Sequence, residues 1–255
     1  GKGPKFDIGP LGLVFLNKDT LVVGGGDYPD GEELLRVFSV PAAGSPAIKA
    51  SDATDSFNMP ATDDVKGEGN FYGLAAKKGA IYVTCNGDDT KGWIARATIK
   101  KGKVTDFKRF LPTKEATEVD APIAATISPK GQLVIGQGGE VTVPEDSLLT
   151  FYNAKTGKML LNLETGLYDI TGLAYSADGK KLFATDFAWM KTSEGGLFQL
   201  ISTDDKHKIE TKKLVSLDKP TALAVQGNTI YITVFGTPAK DSDAPSGRLV
   251  KVTVK

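Results

Sequence analysis

A chain of 255 residues with 31 basic and 31 acidic side chains carries no net charge at neutral pH, which excludes the basic footprint that a nucleic-acid partner demands. No apolar run approaches the roughly 20 residues of a membrane-spanning helix. Cys85 is the single cysteine, so an intramolecular disulfide framework and a cysteine-cluster metal site are excluded as well.

Short apolar runs separated by glycine-rich and polar turns recur with a period of about fifty residues, the signature of an all-β propeller expected as one domain over residues 1–255. The chain starts Gly1-Lys2-Gly3 without an initiator methionine, which points towards an exported, periplasmic or secreted, protein. Lys5 to Ile8 form a short candidate strand. The innermost strand of each repeat follows at Leu11 to Phe15, Tyr72 to Ala76, Ile123 to Ile127, Thr171 to Tyr175 and Thr221 to Val225. A small residue recurs within it at Gly12, Gly73, Ala124, Gly172 and Ala222, as expected where backbones crowd together.

A tight polar turn leads each time into a second strand, at Leu21 to Val23, Ile81 to Thr84, Leu133 to Ile135, Leu182 to Thr185 and Ile230 to Thr233. Turn residues such as Asp178-Gly179 mark these as hairpins. Third strands are expected at Leu34 to Val40, Trp93 to Ile99, Leu148 to Tyr152, Leu197 to Ile201 and Leu249 to Val254. More polar outer strands fit Val104 to Leu111, Met159 to Leu163 and Ile209 to Val215, with Ala47 to Ala50 as the fourth candidate. Pro41 to Asn70 otherwise reads as a long linker.

Five four-stranded blades result, and the last lacks an outer strand, which Lys5 to Ile8 would supply to close the fold. A sixth blade would need residues upstream of Gly1.

The loops between second and third strands are long: Gly24 to Glu33, Asn86 to Gly92, Gly136 to Ser147, Asp186 to Gly196 and Phe235 to Gly247. Binding residues concentrate on long loops held by a rigid scaffold, so this end of the blades is the expected ligand face. It gathers carboxylates, among them Asp27, Asp88, Glu140, Asp146, Asp186 and Asp241, while lysines such as Lys130, Lys155, Lys180 and Lys206 gather at the short-turn end. An acidic face favours a cation, a cationic ligand or a basic protein patch.

Several catalytic patterns fail. His207 is the sole histidine and lies in a lysine-rich turn at the short-turn end, which leaves a serine triad or histidine-ligated zinc without support. Gly24-Gly25-Gly26 follows a strand but opens no helix, so it does not cradle a phosphate. Cys85 ends an apolar strand and reads as an inert core thiol.

The phrases GLAYSADGKKLFATDF and PTALAVQGNTIYITVFG resemble the six-bladed propellers of the gluconolactonase and senescence-marker family, and the NHL-repeat and strictosidine-synthase-like propellers. The resemblance covers the innermost hairpins throughout. It implies the architecture, and for the lactonases it implies acidic or amide residues just before the Gly-Leu of several innermost strands, holding a divalent metal. Here those positions are Leu11, Tyr72, Ile123, Thr171 and Thr221. Two apolar side chains and three neutral hydroxyls cannot supply the oxygen ligands of a hard cation.

The sequence therefore reads as a binding or interaction propeller without an assured catalytic centre or cofactor, taking a small molecule, cation or protein on its long-loop face. The candidate ligand-binding residues are Tyr72, Asn86, Asp186, Phe187 and Trp189. The alternative is a lactonase-like hydrolase with a displaced divalent-cation site, calcium in the first instance, on Asn86, Asp120, Asp169 and Asp186.

Overall fold

A computed structural model describes residues 10–26, 33–59, 70–85, 92–239 and 246–254. Its first sheet contains β1 (Gly12–Asn17), β2 (Thr20–Gly24), β3 (Leu35–Ser39) and β4 (Asp55–Phe57). The second contains β5 (Phe71–Lys77), β6 (Ala80–Cys85), β7 (Trp93–Lys100) and β8 (Lys103–Pro112), and the third β9 (Pro122–Ile127), β10 (Leu133–Gln137), β11 (Leu148–Tyr152) and β12 (Met159–Glu164). The fourth is built from β13 (Ile170–Tyr175), β14 (Leu182–Asp186), β15 (Gly196–Ile201) and β16 (Glu210–Ser216). The fifth has β17 (Pro220–Gln226), β18 (Thr229–Val234) and β19 (Arg248–Thr253) among the described residues.

Within every sheet the spatial order follows chain order, the meander of a propeller blade, and the fold is a five-bladed β-propeller. The innermost, second and third strands fall where the sequence repeat puts them. Lys5 to Ile8, the expected closing strand, lies outside the described residues.

The outer strand of the first blade differs from expectation. Ala47 to Ala50 is not a strand; β4 forms at Asp55–Phe57, inside the stretch read as linker, and a 3₁₀ turn occupies Ala50–Asp52. Its pairing with β3, Leu35 to Phe57 and Val37 to Asp55, supplies backbone hydrogen bonds that the polar sequence DSF does not advertise. One helical turn, α1 (Lys114–Thr117), was also unforeseen.

The chain divides into two compact units, Gly1–Ile127 and Ser128–Lys255. In the first, Val22, Leu35 and Val37 of the first blade pack with Phe71, Ile81, Val83 and Ala95 of the second. In the second unit, Phe183 and Leu197 of the fourth blade meet Ile230, Ile232 and Val234 of β18. The alternation along β18 turns those three inward and leaves Thr233 exposed, the period-two pattern of a strand packed on one neighbour. Burying each such side chain contributes about 1.5–3 kcal/mol.

The small residues of the innermost strands have the role assigned to them. A Cβ on Gly12 would strike the Tyr72 carbonyl, and one on Gly73 would strike the Ile123 carbonyl and approach Ala125 N to 2.8 Å. In the second unit, a Cβ on Gly172 would come within 3.1 Å of the Ala222 Cα. Threonines on the second strands tie the same elements together: Thr84 Oγ1 donates to the Ile123 carbonyl (2.8 Å) and accepts from Gly73 N (2.7 Å).

Candidate functional site at the long-loop end of the second unit

Antiparallel strands return the chain to the same end after β14 and β16, so the loop 187–195 starts beside the links that enter β13 and β17. In the second unit these pieces form one constellation. It is built on Asp169, Asp186 and the aromatic side chains between them.

Asp186 closes β14 and is 1% exposed. Its Oδ1 accepts the backbone N–H of Asp169 (2.7 Å) and of Ala188 (3.2 Å), and its Oδ2 accepts that of Tyr168 (3.1 Å). Asp169 reciprocates across the loop: its Oδ2 accepts Trp189 N–H (2.6 Å) and its carbonyl accepts Phe187 N–H (2.9 Å). Two carboxylates thus clamp the first turn of the loop. Ala188 is held at φ 48, a left-handed conformation uncommon for a residue with a Cβ, which persists where surrounding bonds over-determine it.

Burial pushes the Asp169 carboxyl up to about 6, against the opposing pull of the Trp189 N–H, with the charges of Asp186 and Asp146 adding to the rise. Burial likewise raises Asp186, outweighing its three N–H donors and the attraction of Lys213. The neighbouring loop is fastened to the same link. Ser147 Oγ donates to the Tyr168 carbonyl (2.8 Å) and accepts from Ile170 N (3.2 Å).

Above the clamp stand the aromatic rings. Phe187 and Trp189 stack at 5.4 Å with 15° between their planes, and Phe187 also packs on Phe235 at 6.3 Å. Phe187 is buried, whereas Trp189, Met190 and Phe235 are 54%, 65% and 58% exposed. The Lys219 ammonium lies 5.7 Å from the Trp189 ring centroid. Lys219 is itself left-handed, at φ 55, and its carbonyl accepts Phe235 N–H (2.9 Å).

Of the residues singled out from sequence, Asp169, Asp186, Phe187 and Trp189 come together here. Tyr72 belongs to the first unit, half-buried on β5, with its phenol raised by burial. Asp120, also in the first unit, sits 3.3 Å from the Lys114 ammonium. Asn86 lies outside the described residues. Among the described residues no group of three or more His, Cys, Asp or Glu side chains is arranged to hold a metal ion.

The threonine hydroxyls at the expected metal positions are engaged otherwise. Thr171 Oγ1 donates to the Pro220 carbonyl (2.9 Å), and Thr221 Oγ1 lies 2.7 Å from Thr233 Oγ1.

Phe235 and Lys219 escaped the sequence reading, although a signal existed. Phe235 directly follows β18 just as Phe187 directly follows β14, so the repeat marks them as equivalent. Asp120, Asp169 and Asp218 recur at one equal interval on the entering links. Asp218 repeats the loop-fastening of Asp169 by accepting Thr237 N–H (2.7 Å). Asp169 and Asp218 thus share one loop-fastening device, whereas Asp120 pairs with Lys114.

No protein-family model matches the chain, and no curated protein matches it. Among solved structures the chain is similar to one described as the Dos1 propeller, with a TM-score of 0.54 and 16% identity, over 88% of this chain and 52% of that one. The chain thus spans about half the length of that structure. Likeness at this identity shows the fold alone, since propellers carry unrelated activities.

Proposed function

We propose that this propeller is a non-catalytic binding module whose partner docks on the long-loop end of the second unit, at Trp189, Met190 and Phe235. The observation that carries this reading is the exposure of these three large side chains, with the loop at Ala188 and Trp189 held by Asp186 and Asp169 and the Phe235 backbone held by the Lys219 carbonyl. Exposed apolar patches bordered by polar groups are typical of interaction sites, and Trp, Met and Phe are enriched in the buried centres of interfaces. A rigid loop loses little entropy on binding, which favours affinity. The lactonase-like alternative would require Asp186 Oδ1 and Oδ2 and Asp169 Oδ2 to share with a cation the lone pairs that accept backbone N–H groups.

A random-peptide display selection against the whole chain tests the reading. Selected peptides are expected to lose binding to Trp189→Ala and Phe235→Ala and to keep it with Lys180→Ala, at the opposite end of the fourth blade. Selected binders that are indifferent to Trp189 and Phe235 refute it.

A further inference from the structure

The aromatic platform already carries a cation. Lys219 places its ammonium 5.7 Å from the Trp189 centroid, within the roughly 6 Å over which a ring quadrupole attracts a positive charge. No carboxylate among the described residues forms an ion pair with Lys219, whereas Lys191 and Lys213 both pair with Glu194, at 3.7 and 3.3 Å. Nor does the Lys219 backbone rest in an easy conformation. It precedes Pro220 and lies at φ 55, and sparsely populated backbone conformations concentrate at functional sites.

The surrounding charge has one dominant sign. Asp146, Asp169, Asp186 and Asp218 all belong to the loops and links of this end. The first three are close enough for Asp146 and Asp186 to raise Asp169, and Asp218 adjoins Lys219 in sequence. Lys213, though tied to Glu194, also attracts Asp186, and Lys219 is the cation that lies against the Trp189 ring. Removing it would leave that ring without its cation, on an end where Asp146, Asp169, Asp186 and Asp218 are gathered.

We propose that Trp189 receives a basic side chain, arginine or lysine, from a segment of a partner protein, and that Lys219 occupies that place until the partner displaces it. This inference rests on the long-loop end being the binding surface. Charge complementarity selects the occupant: an acidic segment would be repelled, and a neutral apolar one would gain nothing from the field. Arginine suits the place best, because its weakly hydrated guanidinium stacks on aromatic faces. The exchange of one cation for another keeps the rings covered in both states and makes Lys219 a competitor that sets the affinity.

The test uses a fluorescein-labelled peptide with two arginines spaced by glycine and serine, beside the same peptide with neutral citrulline in their place. Anisotropy titrations against the whole chain are expected to show salt-sensitive binding of the arginine peptide and none of the citrulline peptide. Lys219→Met, which keeps the aliphatic stem and removes the competing charge, is expected to tighten the arginine peptide by roughly two- to fivefold, the worth of an exposed cation–π contact. Trp189→Ala and Trp189→Leu are expected to weaken the arginine peptide by at least the same factor while leaving the circular dichroism melt in place.

Equal binding of the citrulline peptide, or binding that weakens or stays unchanged in Lys219→Met, overturns the proposal. Should the arginine peptide bind no variant while display-selected peptides still depend on Trp189, the partner class is wrong and the surface stands. Loss of Trp189 dependence in both experiments removes the surface as well.

Discussion

Asp186→Ala probes the clamp beneath the aromatic platform. The substitution leaves the N–H groups of Tyr168, Asp169 and Ala188 without their shared acceptor, and the site is closed to water on the side of Asp186 itself, 1% exposed. An unsatisfied buried N–H costs about 1–3 kcal/mol, so three would reach several kcal/mol. The carboxylate, however, is raised by burial, which means that its own desolvation offsets part of what it contributes. The net loss expected is about 2–4 kcal/mol. For a chain of this length that corresponds to a melting temperature lower by roughly 5–15 °C. Asp186→Asn should lose less, since one carbonyl still accepts while the amide opposes a donor. Thermal unfolding followed by circular dichroism measures the shift, and amide hydrogen exchange reports the cause, with faster exchange expected at Tyr168, Asp169 and Ala188. A shift below about 2 °C with unchanged protection at these amides would refute the reasoning.

Asp169 should write its own mark on the pH dependence of stability. Its folded value of about 6 lies above its ordinary 3.8, so the folded state holds a proton that the unfolded state has released. The corresponding stabilisation is complete below about pH 4 and is lost as the pH rises through about 6. Asp169→Asn keeps an acceptor for Trp189 N–H and should gain on the wild type between pH 4.5 and 7.5 in urea unfolding; parallel curves would contradict the assignment. In the first unit, Gly73→Ala is expected to cost about 2–3 kcal/mol, because the new methyl meets the backbone of Ile123 and Ala125 rather than a side chain that can swing away. An unchanged denaturation midpoint would show that β5 and β9 can separate at no cost.

Four strands per repeat, the hairpins and the crowding at Gly12, Gly73 and Gly172 were legible in the sequence because each is written locally. Period-two alternation fixes which side chains turn inward, polar turns fix the pairing of consecutive strands, and the repeat multiplies the signal. The weakest copy failed for the same reason: β4 has a polar edge composition, and only pairing with β3 reveals it. At the site, Asp186, Phe187 and Trp189 were visible as ligand-binding candidates on the long loop that follows a second strand.

What tertiary structure decided is which groups meet there. Asp169 faces Trp189 from another strand link, and Lys219 and Phe235 reach the same rings from the next blade. No local pattern encodes those contacts, since loop residues carry no periodicity and their partners are chosen by where antiparallel strands return the chain. Asp169 and Asp186 entered the alternative reading as cation ligands on charge and spacing, which a sequence displays. Their hydrogen bonds to the N–H groups of the loop depend on directions in space that a sequence does not contain.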